Sequence, residues 1–236
     1  MAGKWYLYGA ALLLVQAIVA CAPEAPVPEG QNSAKQGGTK PALSGAEAEN
    51  PALVVAFGDS LFAGYGLAQD EGFAPALRRA LKAQGVTAHV FNAGVSGDTS
   101  AAGRQRLGFM LDGLTRTPDL VIVGLGANDM LRGLSPEATR ANLDAILSDL
   151  AARGIPAMLA GMLAAPNMGP EYAAAFNPIY PDLAKKHGLA LDPFVLDGVI
   201  GKRELLLADG IHPNAQGAEI MAARIAPMVA ASMPPP

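Results

Sequence analysis

The chain has 236 residues, of which 51% are hydrophobic and 16% charged, and its formal net charge is −4 at pH 7. This apolar content can form a hydrophobic core, and the small negative charge, with no Lys/Arg cluster, excludes a basic nucleic-acid-binding surface. The single cysteine, Cys21, excludes an internal disulfide framework and every multi-cysteine metal or iron–sulfur pattern.

The first 20 residues have the pattern of an export signal. Lys4 precedes an apolar stretch, residues 5–19, that is short for a membrane-spanning helix, and small residues come before Cys21. The sequence therefore predicts a signal peptide over residues 1–20 and export to the periplasm.

The residues around Cys21 indicate which kind of signal this is. The run Ile-Val-Ala-Cys that ends at Cys21 is similar to a bacterial lipobox. This resemblance implies cleavage before Cys21 and attachment of a lipid to it, and Ala22 at the next position implies anchoring in the outer membrane. Two alternatives stay open, which are a released protein cut near Ala20 or Ala22 and a retained N-terminal anchor.

The rest of the chain divides into a tether, one domain and a tail. Residues 21–50 are rich in Pro, Gly, Ala and Glu and lack apolar periodicity, which predicts a flexible tether. Residues 51–233 alternate short apolar runs with longer helical patterns, which is typical of one α/β domain with a parallel sheet. Three prolines, residues 234–236, predict a frayed tail.

Within the domain, the pattern predicts about five strands joined by crossover helices. The strands are predicted at 52–57, 87–92, 120–125, 157–162 and 190–192. The helices are predicted near 73–84, 100–112, 136–152, 171–187 and 215–231.

Ligands of a parallel sheet bind beyond the carboxyl ends of its strands, so the turns at those ends carry the functional signal. Three polar, glycine-bearing turns follow strands, and a fourth precedes the last helix. They span residues 58–60, 92–100, 124–129 and 209–214. The sequence predicts that all four meet at one edge of the sheet.

These turns contain the groups that acyl transfer by a serine needs. Ser60 follows a buried strand at a helix start, where a nucleophile is well placed, although an Asp-Ser pair there is also a common helix cap. Of the three histidines, His89 fits a strand and His187 a helix end, so His212 is the candidate base. Asp209, three residues earlier, can orient His212, although this spacing also suits a capping turn.

Donors for a developing oxyanion can be nominated from the same turns. They are the N–H groups of Ser60 and Gly97 and the side-chain amide of Asn128. Taken singly, Gly97 is more simply a turn glycine and Asn128 more simply a helix cap.

Together these motifs resemble the four sequence blocks of the SGNH (GDSL-type) hydrolases, and most closely the bacterial periplasmic arylesterase, thioesterase I and lysophospholipase group. The matching segments are Gly58-Asp59-Ser60-Leu61, Gly97 within Ser96 to Ser100, Gly126-Ala127-Asn128-Asp129 and Asp209-Gly210-Ile211-His212-Pro213.

The resemblance implies a flavodoxin-like three-layer α/β/α sandwich without metal or organic cofactor. It also implies Ser60 as nucleophile, His212 as general base and acid, Asp209 as its orienting carboxylate, and an oxyanion hole of Ser60, Gly97 and Asn128. Met130 departs from the family pattern, where a smaller residue is usual, so acyl-length preference does not carry over.

The predicted function is hydrolysis of short-to-medium acyl or aryl esters, small-molecule substrates, through an acyl-enzyme on Ser60. The absence of a basic cluster favours small or aryl esters over large anionic thioesters. Residues expected to line the substrate site are Asp59, Met130, Leu131, Met162, Ala165 and Ile211.

Four other functions are alternatives to this one. A nucleotide site is disfavoured because Gly124 and Gly126 lack a third glycine, and a metal hydrolase because only His212 lies at the predicted edge. A carbohydrate O-deacetylase of the same fold and a non-catalytic envelope lipoprotein that binds acyl groups stay as alternatives.

Overall fold

A computed structural model of the chain describes residues 51–234, which lie in one compact unit. The predicted signal peptide, the tether with Cys21, and the last two prolines lie outside the described residues, so these predictions are neither confirmed nor contradicted. Within residues 51–234, no helix combines the length and the apolar character needed to cross a membrane.

Five parallel strands form the central sheet. They are β1 (Ala52–Gly58), β2 (Ala88–Gly94), β3 (Leu120–Gly124), β4 (Ala157–Ala160) and β5 (Ala190–Asp192). Their order is β2-β1-β3-β4-β5, which is the flavodoxin-like arrangement. β1 and β3 are central and almost wholly buried, as their continuous apolar runs predict.

Within residues 51–234, eight α-helices surround the sheet. They are α1 (Ser60–Ala63), α2 (Phe73–Ala83), α3 (Ser100–Asp112), α4 (Ala127–Leu131), α5 (Pro136–Ala152), α6 (Pro170–Phe176), α7 (Ile179–His187) and α8 (Ala215–Ser232). α2 packs against α8, and α5 packs against α3 and α7. The predicted α/β sandwich with about five parallel strands is confirmed.

Three element predictions are wrong in detail. The second strand ends at Gly94 rather than at residue 92. The helix predicted over 171–187 is two helices, α6 and α7, because Pro178 lacks the N–H that a continuous helix needs. The fourth strand ends at Ala160 rather than at residue 162. Beyond it the Gly161 N–H donates to the Asp192 carbonyl at 2.7 Å, and a Cβ on Gly161 would lie 2.6 Å from the Pro193 carbonyl oxygen, so the chain is held close to the turn after β5.

The first three strands end at the same level. Gly58 at the end of β1 pairs with Gly94 on one side and Gly124 on the other. A Cβ on Gly58 or Gly124 would lie less than 3 Å from the Phe62 ring, and one on Gly94 would overlap the backbone of α1. Because these glycines leave that space free, α1 packs directly over the strand ends. The start of α1 is therefore held at the carboxyl edge of the sheet.

Candidate active site

Ser60 is the first residue of α1 and lies immediately after β1. Asp59 caps this helix, since its Oδ1 accepts the Leu61 N–H at 3.1 Å. Ser60 Oγ is left free to face the site, where it lies 2.9 Å from His212 Nε2. The capping and nucleophile interpretations of the Asp-Ser pair are therefore compatible, because they apply to neighbouring residues.

His212 is held between Ser60 and Asp209. Its Nδ1 lies 2.7 Å from Asp209 Oδ2, and its carbonyl accepts the Leu207 N–H at 2.7 Å. A proton on Nδ1 satisfies the carboxylate and leaves Nε2 as an acceptor for the Ser60 hydroxyl. The three side chains thus form one chain of hydrogen bonds from carboxylate to hydroxyl.

Asp209 is fixed as an anion by its own turn. Its Oδ1 accepts the N–H groups of His212 at 3.0 Å and Ile211 at 2.9 Å. These two backbone hydrogen bonds, followed by the one from the His212 ring, lower the pKa of Asp209 to about 2. Asp209 is therefore ionised at neutral pH.

The other two histidines lie elsewhere. His187 Nε2 is 2.6 Å from Asp144 Oδ1 at the contact between α7 and α5, and His89 is exposed on the edge strand β2. Neither hydrogen bonds to Ser60. The selection of His212 by elimination therefore agrees with the geometry.

The nominated donors come from two turns beside Ser60. Gly97 lies between β2 and α3 at φ 86°, a left-handed conformation that favours glycine, and its carbonyl accepts the Arg132 Nη2 at 2.7 Å. Asn128 lies in the first turn of α4, where its Nδ2 donates to the Asp98 carbonyl at 3.0 Å. Within residues 51–234, no hydrogen bond occupies the N–H of Ser60 or Gly97, so both can donate to a ligand.

A buried carboxylate joins the elements that carry these donors. Asp129, next to Asn128, accepts the Ser100 N–H at 2.7 Å, the Ser100 hydroxyl at 2.5 Å and the Thr139 hydroxyl at 3.2 Å. It thereby ties α4 to the start of α3, just after the Gly97 turn. No role for Asp129 was predicted from the sequence. A signal existed, because Asp129 lies in the short turn of chain after the buried strand β3, where a buried carboxylate needs such partners.

Asp59 also lies inside the protein, with only 1% of its surface exposed. Burial is the main cause that raises the pKa of Asp59 to about 6, against the smaller lowering effect of the Leu61 N–H. The expectation that Asp59 contacts substrate disagrees with this burial. Its side chain faces Leu61 and Asn128 instead.

The other residues expected at the substrate site fall into two groups. Met130 and Met162 are buried, and the Met130 sulfur accepts the Ala165 N–H at 3.4 Å. The structure does not place these two side chains on the open surface, because they pack beneath it. Leu131 and Ile211 are about half exposed, and Ala165 is partly exposed, so these three are available to a substrate.

One aromatic residue at the site was not predicted. The ring centroid of Tyr65 lies 4.4 Å from that of His212, with the planes tilted by 35°. Tyr65 is nevertheless 51% exposed. Its position between Gly64 and Gly66 was the available signal, since glycines on both sides of an aromatic residue indicate a tight surface turn.

The arrangement provides a hydroxyl, an imidazole acceptor, an ionised carboxylate and free N–H donors within one edge of the sheet. These are the components of nucleophilic acyl transfer by a serine. Among residues 51–234, no group of three His, Cys, Asp or Glu side chains is placed to hold a metal ion.

Comparison with known proteins gives a consistent assignment. A family model described as "GDSL-like Lipase/Acylhydrolase family" matches residues 56–220. The chain is 40% identical to "Esterase TesA" of Pseudomonas aeruginosa over 156 residues, which are 66% of this chain and 77% of that one. It is 39% identical to "Arylesterase" of Vibrio mimicus over 172 residues, 73% and 84% of the two chains.

A solved structure is also similar. The crystal structure of AlinE4, described as an SGNH-hydrolase family esterase, superposes with a TM-score of 0.67 at 47% identity. The match covers 78% of this chain and 98% of that one. Both the fold and the order of the sequence motifs therefore point to one family.

Proposed function

Because the chain belongs to the GDSL-like lipase/acylhydrolase family, we propose that it is a serine esterase acting on short-to-medium acyl or aryl esters. The observation that carries this proposal is the hydrogen-bonded chain Asp209–His212–Ser60, with distances of 2.7 and 2.9 Å. The names of the relatives, esterase and arylesterase, support the same reaction class.

In the acylation step, the Ser60 Oγ attacks the ester carbonyl carbon while His212 Nε2 takes the hydroxyl proton. Asp209 stabilises the imidazolium that forms and keeps the ring oriented. The carbonyl electron pair moves onto oxygen, which accepts hydrogen bonds from the N–H groups of Ser60 and Gly97 and from Asn128 Nδ2. When the carbonyl re-forms, the bond to the alcohol oxygen breaks and His212 returns its proton to the leaving alcohol.

In the deacylation step, water replaces the alcohol. His212 Nε2 accepts a proton from water as its oxygen bonds to the acyl carbon, and the same donors hold the second oxyanion. Collapse of this intermediate releases the carboxylic acid and returns the proton to Ser60 Oγ. The free enzyme is restored without any co-reactant other than water.

Substrate size is the less constrained part of the proposal. The exposed side chains of Leu131, in the helix of Asn128, and Ile211, next to His212, offer apolar contact near the site, which suits acyl or aryl groups. An acyl-length series of p-nitrophenyl esters, run beside matched thioesters, measures both preferences at once. A maximum at long thioesters would contradict the proposed substrate class.

The test of the reaction uses purified Ser60→Ala with Ser148→Ala as matched control. Ser148 is an exposed residue of α5, so its loss should leave activity unchanged. We expect p-nitrophenyl acetate hydrolysis by wild type and Ser148→Ala, and an acetyl adduct on Ser60 in quenched samples by mass spectrometry. Equal hydrolysis by Ser60→Ala would overturn the mechanism.

Assays of acetylated sugars beside p-nitrophenyl esters separate the two alternative functions. Hydrolysis of acetylated sugars without hydrolysis of p-nitrophenyl esters would indicate the carbohydrate O-deacetylase. Binding of acyl groups without turnover would indicate the non-catalytic lipoprotein.

Localisation forms a separate part of the proposal, since it rests on the sequence pattern of residues 1–21. The protein is exported by a signal over residues 1–20, and a lipid on Cys21 anchors it in the outer membrane. Fractionation of cells expressing wild type and Cys21→Ala tests this. We expect wild type in the membrane fraction and the variant in the soluble periplasm, and an unlipidated mature N-terminus in wild type would contradict the anchor.

A further inference from the structure

Tyr65 is the aromatic residue that stacks beside the candidate base. Its ring lies against the His212 ring with a centroid distance of 4.4 Å, yet half of its surface faces solvent. No hydrogen bond to its phenol oxygen is formed within residues 51–234. The exposed ring face is therefore the part of Tyr65 that a ligand can contact.

The position of Tyr65 is coupled to that of the nucleophile. Its backbone N–H donates to the Ser60 carbonyl at 3.2 Å, and glycines in left-handed conformations stand on both sides, Gly64 at φ 78° and Gly66 at φ 73°. A Cβ on Gly66 would lie 2.7 Å from Leu207 Cδ1, so the turn is closely packed at this point. Tyr65 is thus presented on a fixed turn rather than on a long loop.

The chemistry of the proposed reaction places the leaving group on this side of the site. His212 Nε2 must give its proton to the alcohol oxygen, which requires a separation of about 3 Å. The first carbon of the alcohol is one bond further on. Because Tyr65 stacks on the same imidazole, a ring attached to that oxygen can reach the Tyr65 ring when it turns towards that face.

The exposed face of Tyr65 is the contact surface on this side. The cavity beneath it, lined in part by Leu67 and Met221, has a volume of about 10 Å³ and is too small for an aromatic ring. An aromatic ring is a suitable ligand for this exposed face, because aromatic pairs in offset or tilted geometry gain stability beyond their buried area.

We propose that Tyr65 forms the wall of a leaving-group subsite that selects esters of aromatic alcohols. This inference rests on the proposed esterase function and adds which half of the ester is recognised by aromatic contact. Selection acts on the alcohol and is independent of the acyl chain, which lies on the other side of the scissile bond.

The test compares wild type, Tyr65→Leu and Tyr65→Phe on phenyl acetate and on 2,2,2-trifluoroethyl acetate. The two substrates share the acetyl group, so any difference in kcat/KM reports the alcohol half. We expect Tyr65→Leu to lower kcat/KM for phenyl acetate about 3- to 10-fold relative to the trifluoroethyl ester. Tyr65→Phe keeps the ring and should keep the wild-type ratio.

A second comparison isolates the acyl half. The ratio of p-nitrophenyl butyrate to p-nitrophenyl acetate should be the same in wild type and Tyr65→Leu. Equal losses on phenyl and trifluoroethyl acetates in Tyr65→Leu would show that Tyr65 only holds His212 and would overturn the subsite, as would wild-type kcat/KM values on both acetates. If wild type hydrolyses neither acetate, both the proposed esterase function and the subsite are wrong. If Tyr65→Leu loses both acetates equally or loses neither, only the subsite is wrong and the esterase function stands.

Discussion

Asp59 and Asn128 meet inside the protein, behind the nucleophile. The Asp59 Oδ2 lies 3.4 Å from Asn128 Nδ2, while the same nitrogen donates to the Asp98 carbonyl at 3.0 Å. Both hydrogens of the amide are thus directed by protein acceptors. To serve an oxyanion, Asn128 must turn one of them from the longer contact with Asp59 towards the substrate oxygen.

The buried state of Asp59 predicts a pH-dependent stability. Its pKa is raised from 3.8 to about 6 in the folded protein, so the folded state holds the proton more tightly than the unfolded chain. This contribution is fully present below pH 3.8 and is lost as pH rises through 6. The unfolding free energy of wild type minus that of Asp59→Asn should fall by about 2 kcal/mol between pH 4.5 and 7.5. Urea titrations at both pH values measure it, and a pH-independent difference would contradict the buried acid.

Removal of the Asn128 amide should affect turnover more than binding. In Asn128→Ala we expect kcat to fall about 100- to 1000-fold, because a donor to the oxyanion is lost in the transition state. KM for p-nitrophenyl acetate should change little. Steady-state kinetics measure both, and a rise in KM with unchanged kcat would indicate that Asn128 only binds substrate.

Asp209 should act as an anion throughout the usual assay range. Because its pKa is lowered to about 2, no titration of Asp209 should appear in the activity profile above about pH 4. Asp209→Asn removes the charge and favours the wrong His212 tautomer, so we expect a loss of about 1000- to 10,000-fold in kcat. Hydrolysis rates from pH 4 to 9 test this, with circular dichroism to check that the variant is folded. A loss below tenfold would show that Asp209 is dispensable.

Gly126 should tolerate no side chain. It precedes α4 at φ 111°, and a Cβ there would lie 2.3 Å from the Tyr180 hydroxyl oxygen, which itself donates to the Leu125 carbonyl at 2.8 Å. We expect Gly126→Ala to lower the unfolding free energy by about 2 to 4 kcal/mol, from backbone strain and overpacking together.

A double variant separates the two causes. Addition of Tyr180→Phe to Gly126→Ala removes the clashing oxygen. Part of the lost unfolding free energy should then be recovered, while the backbone strain at Gly126→Ala persists. Denaturant unfolding of both single variants and the double variant measures the coupling. Strict additivity would show that Tyr180 does not crowd this position.

The sequence predicted best those parts of the fold for which a residue pattern is compatible with few structures. The long apolar runs of β1 and β3 predicted buried central strands, and the turns around Ser60, Gly97, Asn128 and Asp209 were correctly placed at one edge. Periodicity could not show the break between α6 and α7, because the aromatic spacing of Tyr172, Phe176 and Tyr180 continues across Pro178.

Burial of individual side chains was harder to predict. Met130 and Met162 come a few residues after β3 and β4 and look available to a ligand, but both side chains are buried. Asp59 was expected to line the substrate site, yet its side chain is buried behind Ser60. The contact of Tyr65 with His212 joins residues far apart in sequence, so no local pattern indicates it.

The level strand ends and the course of α8 have a practical consequence for handling the enzyme. The described part of the chain begins at the amino end of β1, which lies about 20 Å along the strand from Ser60. It leaves through α8, whose 18 residues extend about 27 Å from the turn that holds His212. An affinity tag or a solid support joined at either end of the domain should therefore leave the substrate entrance open, and immobilised enzyme should retain its turnover.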